Sequence, residues 1–205
     1  MKIDLKKELK QLYSPAGATF SLIEVPAMNF LQIDGQGNPN TAAAYREAVE
    51  ALYGLAYHLK FSLKKSPAGS DYTVMPLEGL WWADDMSQFI SLSKDNWKWT
   101  MMIMQPEAIT PAMFAEAIAA VGKKKNLPAL PLARFEPYHE GLAGQVLYTG
   151  AYADEGPTIA RLHGFIHEQG YQLRGKHHEI YLGDPRKTAP EKLKTIIRQP
   201  CGKEK

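Results

Sequence analysis

The chain of 205 residues repeats one order of predicted elements, and this repeat restricts the fold more than any other sequence feature. Each half predicts a strand, a helix and two further strands, with a glutamate near the end of the strand that follows the helix. In the first half the elements are a strand over 30–35, a helix from Thr41 and strands over 72–82 and 97–104. In the second half the strand over 146–150, the helix from Pro157 and the strand over 171–182 correspond to the first three of these elements.

The repeat predicts an α+β fold built from a duplicated βαββ-type unit. Two such units related by a pseudo-twofold axis are expected to place their strands in a mainly antiparallel sheet with helices on one face. The opposite face is then expected to form a central ligand groove where the units meet. Glu78 and Glu179 end corresponding strands, so we expect both carboxylates to approach that groove.

Proline and glycine residues suggest where the chain divides. Residues 1–16 predict an amphipathic N-terminal lead segment that ends at Pro15, and residues 17–205 predict one ligand-binding domain. Its two repeats are expected at about 17–126 and 132–205, on either side of the linker LPALP. The spacing of Thr188 and Glu191 is typical of a capping box and predicts a last helix from Pro190 that carries Ile196 and Ile197.

Composition excludes several classes of protein. The net charge of +2 is too small to indicate nucleic-acid binding, and the lone Cys201 excludes an internal disulfide. The charged N-terminus lacks the apolar segment of a signal peptide, and no stretch is apolar enough to span a membrane. We therefore expect a cytoplasmic protein with no membrane partner, no metal and no cofactor. The sequence does not indicate the oligomeric state.

The strand 171–182 carries the first group of candidate site residues. Side chains alternate between the faces of a strand, so His177, Glu179 and Tyr181 share one face. An acid between an imidazole and a phenol suits the wall of a binding pocket, and it also suits a polar ladder on the surface. His178 points to the other side, which argues against a metal site shared with His177.

The strand 72–82 and the strand near 148 supply the remaining candidates. Glu78, Trp81, Trp82 and Tyr148 are expected at the pocket, where aromatic faces and a carboxylate suit a cation. Trp81 and Trp82 lie on opposite faces if the strand continues, and the sequence leaves open which one faces the ligand. Trp97 and Trp99, on the next strand, are expected mainly in the core.

Three segments resemble the GyrI-like small-molecule-binding family: PLEGLWW at 76–82, WKWTMMIMQP at 97–106 and HHEIYLGDPRKTAPEKLK at 177–194. The resemblance extends over nearly the whole chain from about Phe20. It implies a duplicated βαββ fold, a central pocket and lipophilic, often cationic aromatic ligands, as in the effector domains of BmrR-type multidrug regulators. It also implies a possible hydrolase, since some stand-alone members are implicated in opening cyclopropane-bearing DNA-alkylating compounds. No helix-turn-helix precedes the domain, so direct nucleic-acid binding is not expected.

Two main hypotheses follow for function. The first is a stand-alone binding protein for lipophilic aromatic molecules such as drugs and toxins, held by Glu179, Tyr181, Glu78 and the aromatic side chains. The alternative is a hydrolase that opens cyclopropanoid genotoxins, with Glu179 or Glu78 as general base and Tyr181 as a further catalytic group. A third class, a protein that binds a macromolecule such as gyrase, has no support from the balanced charge.

Overall fold

The computed structural model describes residues 2–15, 17–67, 69–86 and 94–204. The strands are β1 (Lys2–Ile3), β2 (Ser21–Gln36), β3 (Asp71–Tyr72), β4 (Leu77–Trp82), β5 (Lys98–Gln105), β6 (Arg134–Thr149), β7 (Gln172–Leu173), β8 (His177–Tyr181) and β9 (Lys194–Gly202). The α-helices are α1 (Leu5–Glu8), α2 (Lys10–Tyr13), α3 (Ala43–Lys65), α4 (Pro111–Lys124) and α5 (Gly156–Glu168). None of the helices in these ranges is long and apolar enough to cross a membrane.

Six of the strands close into a barrel-like antiparallel sheet. The order is β6-β2-β5-β4-β8-β9, and β9 pairs back with β6 to complete the ring. Short β7 adds to β9, and β1 pairs with β3 in a separate parallel ladder. The predicted α+β class with a mainly antiparallel sheet is therefore confirmed. The pseudo-twofold relation between the two halves stays a prediction.

The closed sheet has an inner face and an outer face, and helices α3 and α5 cover the outer one. Tyr45 of α3 packs against the rings of Trp81 and Trp99. Elsewhere on this face, α5 packs closely on β6: a Cβ at Gly144 would lie 2.6 Å from the side chain of Ile166. We call this outer surface the helix-covered face.

Strands β5 and β9 exclude water from both faces. Every residue of β9 from Thr195 to Cys201 is buried, and so is every residue of β5 from Trp99 to Gln105. The helix predicted from Pro190 is wrong: one short 3₁₀ turn over Pro190–Lys192 precedes the strand. β-branched Ile196 and Ile197 favour a strand, and their two faces pack against different layers of the molecule.

The strand predicted over 72–82 is divided. Asp71 and Tyr72 form β3, and β4 begins only at Leu77, directly after Pro76. Pro76 has no backbone N–H to donate to a neighbouring strand, so its position just outside the ladder is consistent with its chemistry.

A buried ionic network occupies the inner face. His178 lies between two carboxylates, with Nε2 3.0 Å from Glu78 and Nδ1 2.9 Å from Glu140. The second oxygen of Glu140 lies 3.6 Å from the guanidinium of Arg198. Burial alone would lower the pKa of His178, but the two carboxylates outweigh it and raise that pKa to about 9. Burial alone would raise the pKa of Glu140, but His178 and Arg198 hold it below its ordinary value.

The N-terminal segment completes this network. The hydroxyl of Tyr13 donates to Glu78 at 2.7 Å, and Arg198 donates to the backbone carbonyl of Leu12. The side chain of Gln145 donates to the carbonyl of Gln11 at 3.0 Å and accepts from Arg198 at 2.8 Å. Residues 11–13 therefore satisfy buried polar groups that belong to the barrel.

We expect Tyr13→Phe to destabilise the fold. The substitution keeps the ring but leaves the buried Oε1 of Glu78 without its donor, which costs roughly 1–3 kcal/mol. Urea unfolding monitored by circular dichroism measures the change, and Tyr57→Phe on the exposed side of α3 is the control. Equal midpoints for wild type and Tyr13→Phe, with equal slopes, would contradict this account of the network.

Candidate functional site

The pairing of β4 with β8 decides which side chains meet on the helix-covered face. Gly79 lies opposite Glu179, Trp81 opposite His177, and Leu77 opposite Tyr181. Directly opposed residues of an antiparallel pair point to the same face. The predicted grouping of His177, Glu179 and Tyr181 on one face of the strand is confirmed, and Trp81 joins them.

These side chains form one chain of hydrogen bonds centred on the Glu179 carboxylate. One oxygen lies 3.0 Å from Nε2 of His177, and the other accepts the hydroxyl of Tyr181 at 2.7 Å. The indole N–H of Trp81 donates in turn to the hydroxyl oxygen of Tyr181 at 2.9 Å. Each donor fixes the next acceptor, so the carboxylate is held in one orientation.

Gly79 provides the space for this arrangement. A Cβ at this position would lie 2.6 Å from Nε1 of Trp81 and 3.2 Å from the hydroxyl of Tyr181. Any larger residue would push the indole away from the phenol. The glycine therefore allows the Trp81 side chain to lie back across β4 toward β8.

Aromatic rings frame the carboxylate. Tyr45 stacks on Trp81 with ring centroids 6.0 Å apart, and Trp97 meets the same indole edge-on at 5.6 Å. Tyr152, just before α5, meets Tyr181 edge-on at 5.4 Å. Several of these rings are half-buried, and Glu179 keeps 15% of its side-chain surface. The site is thus a half-exposed aromatic frame around one carboxylate, between α3 and α5.

A second carboxyl lies beside the first. Glu155 directly precedes α5 and is 3% exposed. Burial and, after it, the nearby negative charge of Glu179 together raise the pKa of Glu155 to about 9. Burial would also raise the pKa of Glu179, but hydrogen bonds from His177, Tyr181 and Glu155 hold it below its ordinary value. At neutral pH the pair therefore keeps one proton, on Glu155, and one negative charge, on Glu179.

Sequence reasoning missed Glu155. The segment Asp154-Glu-Gly-Pro157 carries the acidic residues common at the start of a helix, which explained its composition without any site. The neighbouring Tyr152 was missed for a similar reason. A useful signal was the position of both residues after β6, which carries Tyr148, at the start of the helix that covers the site.

The structure corrects the expectation that Glu78 shares a groove with Glu179. Glu78 pairs with Ile180, points to the inner face and is 0% exposed, bonded there to Tyr13 and His178. Glu78 stands three residues before Trp81, whereas Glu179 stands two residues before Tyr181. A shift of one residue moves a side chain to the other face of a strand.

Two related expectations change with it. Trp82, next to Trp81, lies on the opposite face, where the ammonium of Lys176 packs 3.3 Å from the centre of its ring. Trp81 is therefore the tryptophan of β4 that reaches Glu179's side of the sheet. The groove expected on the face opposite the helices is also misplaced, because the Glu179 cluster lies on the helix-covered face.

Tyr148, the remaining predicted site residue, lies at the margin of the Glu179 cluster. Tyr148 points to the helix-covered face opposite Thr195, and its hydroxyl donates to the carbonyl of Ala151 at 3.0 Å. Burial and the charge of Glu155 raise the pKa of Tyr148, which places it near the acid pair. In the described ranges no group of three or more His, Cys, Asp or Glu side chains could hold a metal ion.

The chain is similar to a known domain family and to several solved structures. The model of the GyrI-like small molecule binding domain matches residues 18–200. A protein of Listeria innocua described as an uncharacterized conserved protein is 37% identical, with a TM-score of 0.88 over 98% of this chain and 100% of that one. A hydrolase from Listeria innocua is 36% identical, with a TM-score of 0.86 over 98% of this chain and 100% of that one.

A more distant structure shares the fold. The C-terminal domain of EcmrR is 13% identical, with a TM-score of 0.56 over 91% of this chain and 99% of that one. No curated protein matches the sequence. Since the family model spans most of the chain and the predicted resemblance is confirmed, the protein belongs to the GyrI-like small-molecule-binding domain family.

Proposed function

We propose that the protein binds lipophilic aromatic molecules between α3 and α5 and hydrolyses them with Glu179 as the general base. The observation that carries this proposal is the Glu179 carboxylate, oriented by His177 and Tyr181 inside an aromatic frame and beside the buried carboxyl of Glu155. Two carboxyl groups whose pKa values are pushed apart by their surroundings are typical of acid–base sites.

Binding is supported by the rings and by the charge. The half-buried rings of Tyr45, Tyr152 and Tyr181 offer stacking surface, and each aromatic contact contributes about 0.5–1.5 kcal/mol. The single negative charge of Glu179 favours a ligand that carries a positive charge, and the attraction grows as the ligand displaces water. Such a site accepts many ligands, because little of its affinity depends on matched hydrogen bonds.

Hydrolysis is supported by the position of the base. Glu179 can take a proton from a water molecule held against it while the water oxygen attacks an electrophilic carbon. In a cyclopropane conjugated to a dienone, that oxygen bonds to the ring CH₂ carbon and the strained C–C bond breaks. The electron pair of that bond moves to the carbonyl oxygen, which gains a proton from solvent, and Glu179 returns its proton to solvent. One water molecule is added in total.

The neighbouring groups have positioning roles in this scheme. The hydroxyl of Tyr181 already donates to Glu179, so it orients the base and is not free to protonate a distant carbonyl. Protonated Glu155 keeps the second carboxyl neutral, which avoids repulsion between two anions. The 36%-identical relative described as a hydrolase supports the proposal.

The second candidate function is binding without turnover. The half-buried rings around Glu179 favour it, since they suit retention of a cationic aromatic molecule without any reaction. Cytoplasmic location and the absence of direct nucleic-acid binding stay predictions in either case.

Glu155 should give stability a distinctive dependence on pH. Its folded pKa, about 9, lies above its ordinary value of 4.5, so the folded state binds the proton more tightly. This stabilisation is complete below about pH 4.5 and is lost as the pH rises through 9. Glu155→Gln, which stays neutral, should therefore gain stability relative to wild type as the pH rises.

Unfolding in urea at a series of pH values measures that difference, with the exposed Glu107→Gln as control. A constant difference between wild type and Glu155→Gln across the range would contradict the assignment of the shared proton.

Glu179→Gln should abolish turnover of a spirocyclopropyl dienone. Loss of a general base lowers kcat/KM by about 100-fold or more. Mass spectrometry in ¹⁸O-labelled water measures the water-added product, and the exposed Glu191→Gln serves as control. If no such substrate is turned over by wild type while dyes bind, only the second candidate function survives.

Glu179→Gln should also weaken the binding of a cationic dye more than the binding of a neutral dye of similar shape. Removal of a partly desolvated charge that faces a cation should raise the Kd of the cationic dye about ten-fold, whereas stacking on the rings is unchanged. Quenching of tryptophan fluorescence by proflavine and by neutral acridine-type analogues provides the comparison. Equal losses for both dyes would show that the carboxylate does not recognise charge.

A further inference from the structure

Helix α3 carries a row of side chains that begins at the Glu179 site and ends on the surface. The members, spaced four residues apart, are Tyr45, Val49, Tyr53, Tyr57 and Phe61. Since a helical turn has 3.6 residues, each step of four rotates the row by about 40°. The row therefore turns gradually from the sheet toward solvent, and Tyr57 and Phe61 are each 49% exposed.

Tyr53 joins the row to the site. Its hydroxyl lies at the backbone of Leu77, which pairs with Tyr181. Burial raises the pKa of Tyr53, and the negative charge of Asp184 acts in the same direction. Tyr53 therefore lies between the framed carboxylate and the outer two rings.

The outer rings form a continuous surface with Tyr53. The ring centroids of Tyr53 and Tyr57 are 6.3 Å apart with planes tilted by 28°, and those of Tyr57 and Phe61 are 6.5 Å apart with planes tilted by 24°. Single exposed apolar residues are common, but three rings in contact along the helix that also supplies Tyr45 to a candidate site are typical of ligand binding. From Tyr53 to Phe61 the helix rises about 12 Å, which is long enough for a further bicyclic aromatic unit.

We propose that Tyr53, Tyr57 and Phe61 form a second subsite for an elongated ligand. The first aromatic unit of such a ligand lies in the Glu179 frame, and a second linked unit lies along the row. This inference rests on the proposed function, because the first unit must bind at Glu179. It narrows the ligand class to molecules of at least two linked aromatic units.

A pair of dyes tests the subsite. Hoechst, a bis-benzimidazole with a phenol at one end, is elongated, whereas proflavine is a single short ring system. The double substitution Tyr57→Ala with Phe61→Ala should raise the Kd of Hoechst about five- to twenty-fold and leave that of proflavine within about two-fold. Leu132→Ala, at a residue 62% exposed and outside the row, is the control and should change neither value.

The alternative outcomes are distinguishable. If the Kd of Hoechst depends on Glu179 but is unchanged by the double substitution, the subsite is wrong and the proposed site stands. Equal weakening of both dyes means that the row acts through the stability of α3, which also overturns the subsite. A dimer in light scattering that the double substitution dissociates would make the row a subunit interface instead. If neither dye binds wild type, the proposed function fails and the subsite with it.

Discussion

The alignment of Gly79 with Glu179 between β4 and β8 is the constraint on which the site depends. It places Trp81, His177 and Tyr181 on one face of the sheet and leaves room at Gly79 for the indole to reach the phenol. A slip of one residue would send Glu179 to the inner face and destroy the hydrogen-bond chain. The long pairings of β2 with β6 and of β6 with β9 close the sheet and hold this alignment in place.

Adjacent residues of β8 serve two separate charge clusters. His178 points inward to Glu78 and Glu140, and Glu179 points outward to the aromatic frame. The inner cluster pairs two carboxylates with two cations, since Arg198 supplies the second positive charge. Breaking a buried pair by removing one partner is costly, so the inner cluster fixes the strand that presents Glu179. In the outer cluster the carboxylate of Glu179 carries the negative charge that a ligand can meet.

The long, strongly patterned helices and strands could be predicted from the sequence. The alternation of side chains along a strand predicted the shared face of His177, Glu179 and Tyr181, and the family motifs predicted the fold class. Closure of the sheet was not readable, because it depends on the pairing of β6 with β9, and β9 had the capping signal of a helix before it. Strand alternation also places Glu78 and Trp81 on opposite faces of their strand. Glu78 was matched with Glu179 by position in the repeat, and the face of the strand was not considered.

Long-range contacts explain the remaining failures. Glu155 becomes part of the site only because α5 packs on β6 and brings the start of the helix next to Glu179. Tyr13 binds Glu78 across 65 positions of sequence, and no local pattern of the N-terminal segment indicates that contact. Both residues contact partners that are distant in sequence and come close only in the folded protein.

A crystal structure with a bound cationic aromatic dye tests the central claim most directly, namely that the helix-covered face around Glu179 is the ligand site. The account predicts the dye between α3 and α5, with its ring on Tyr152 or Tyr181 and its charge toward Glu179. A dye bound at the inner face, or in a position remote from Glu179, would contradict the account.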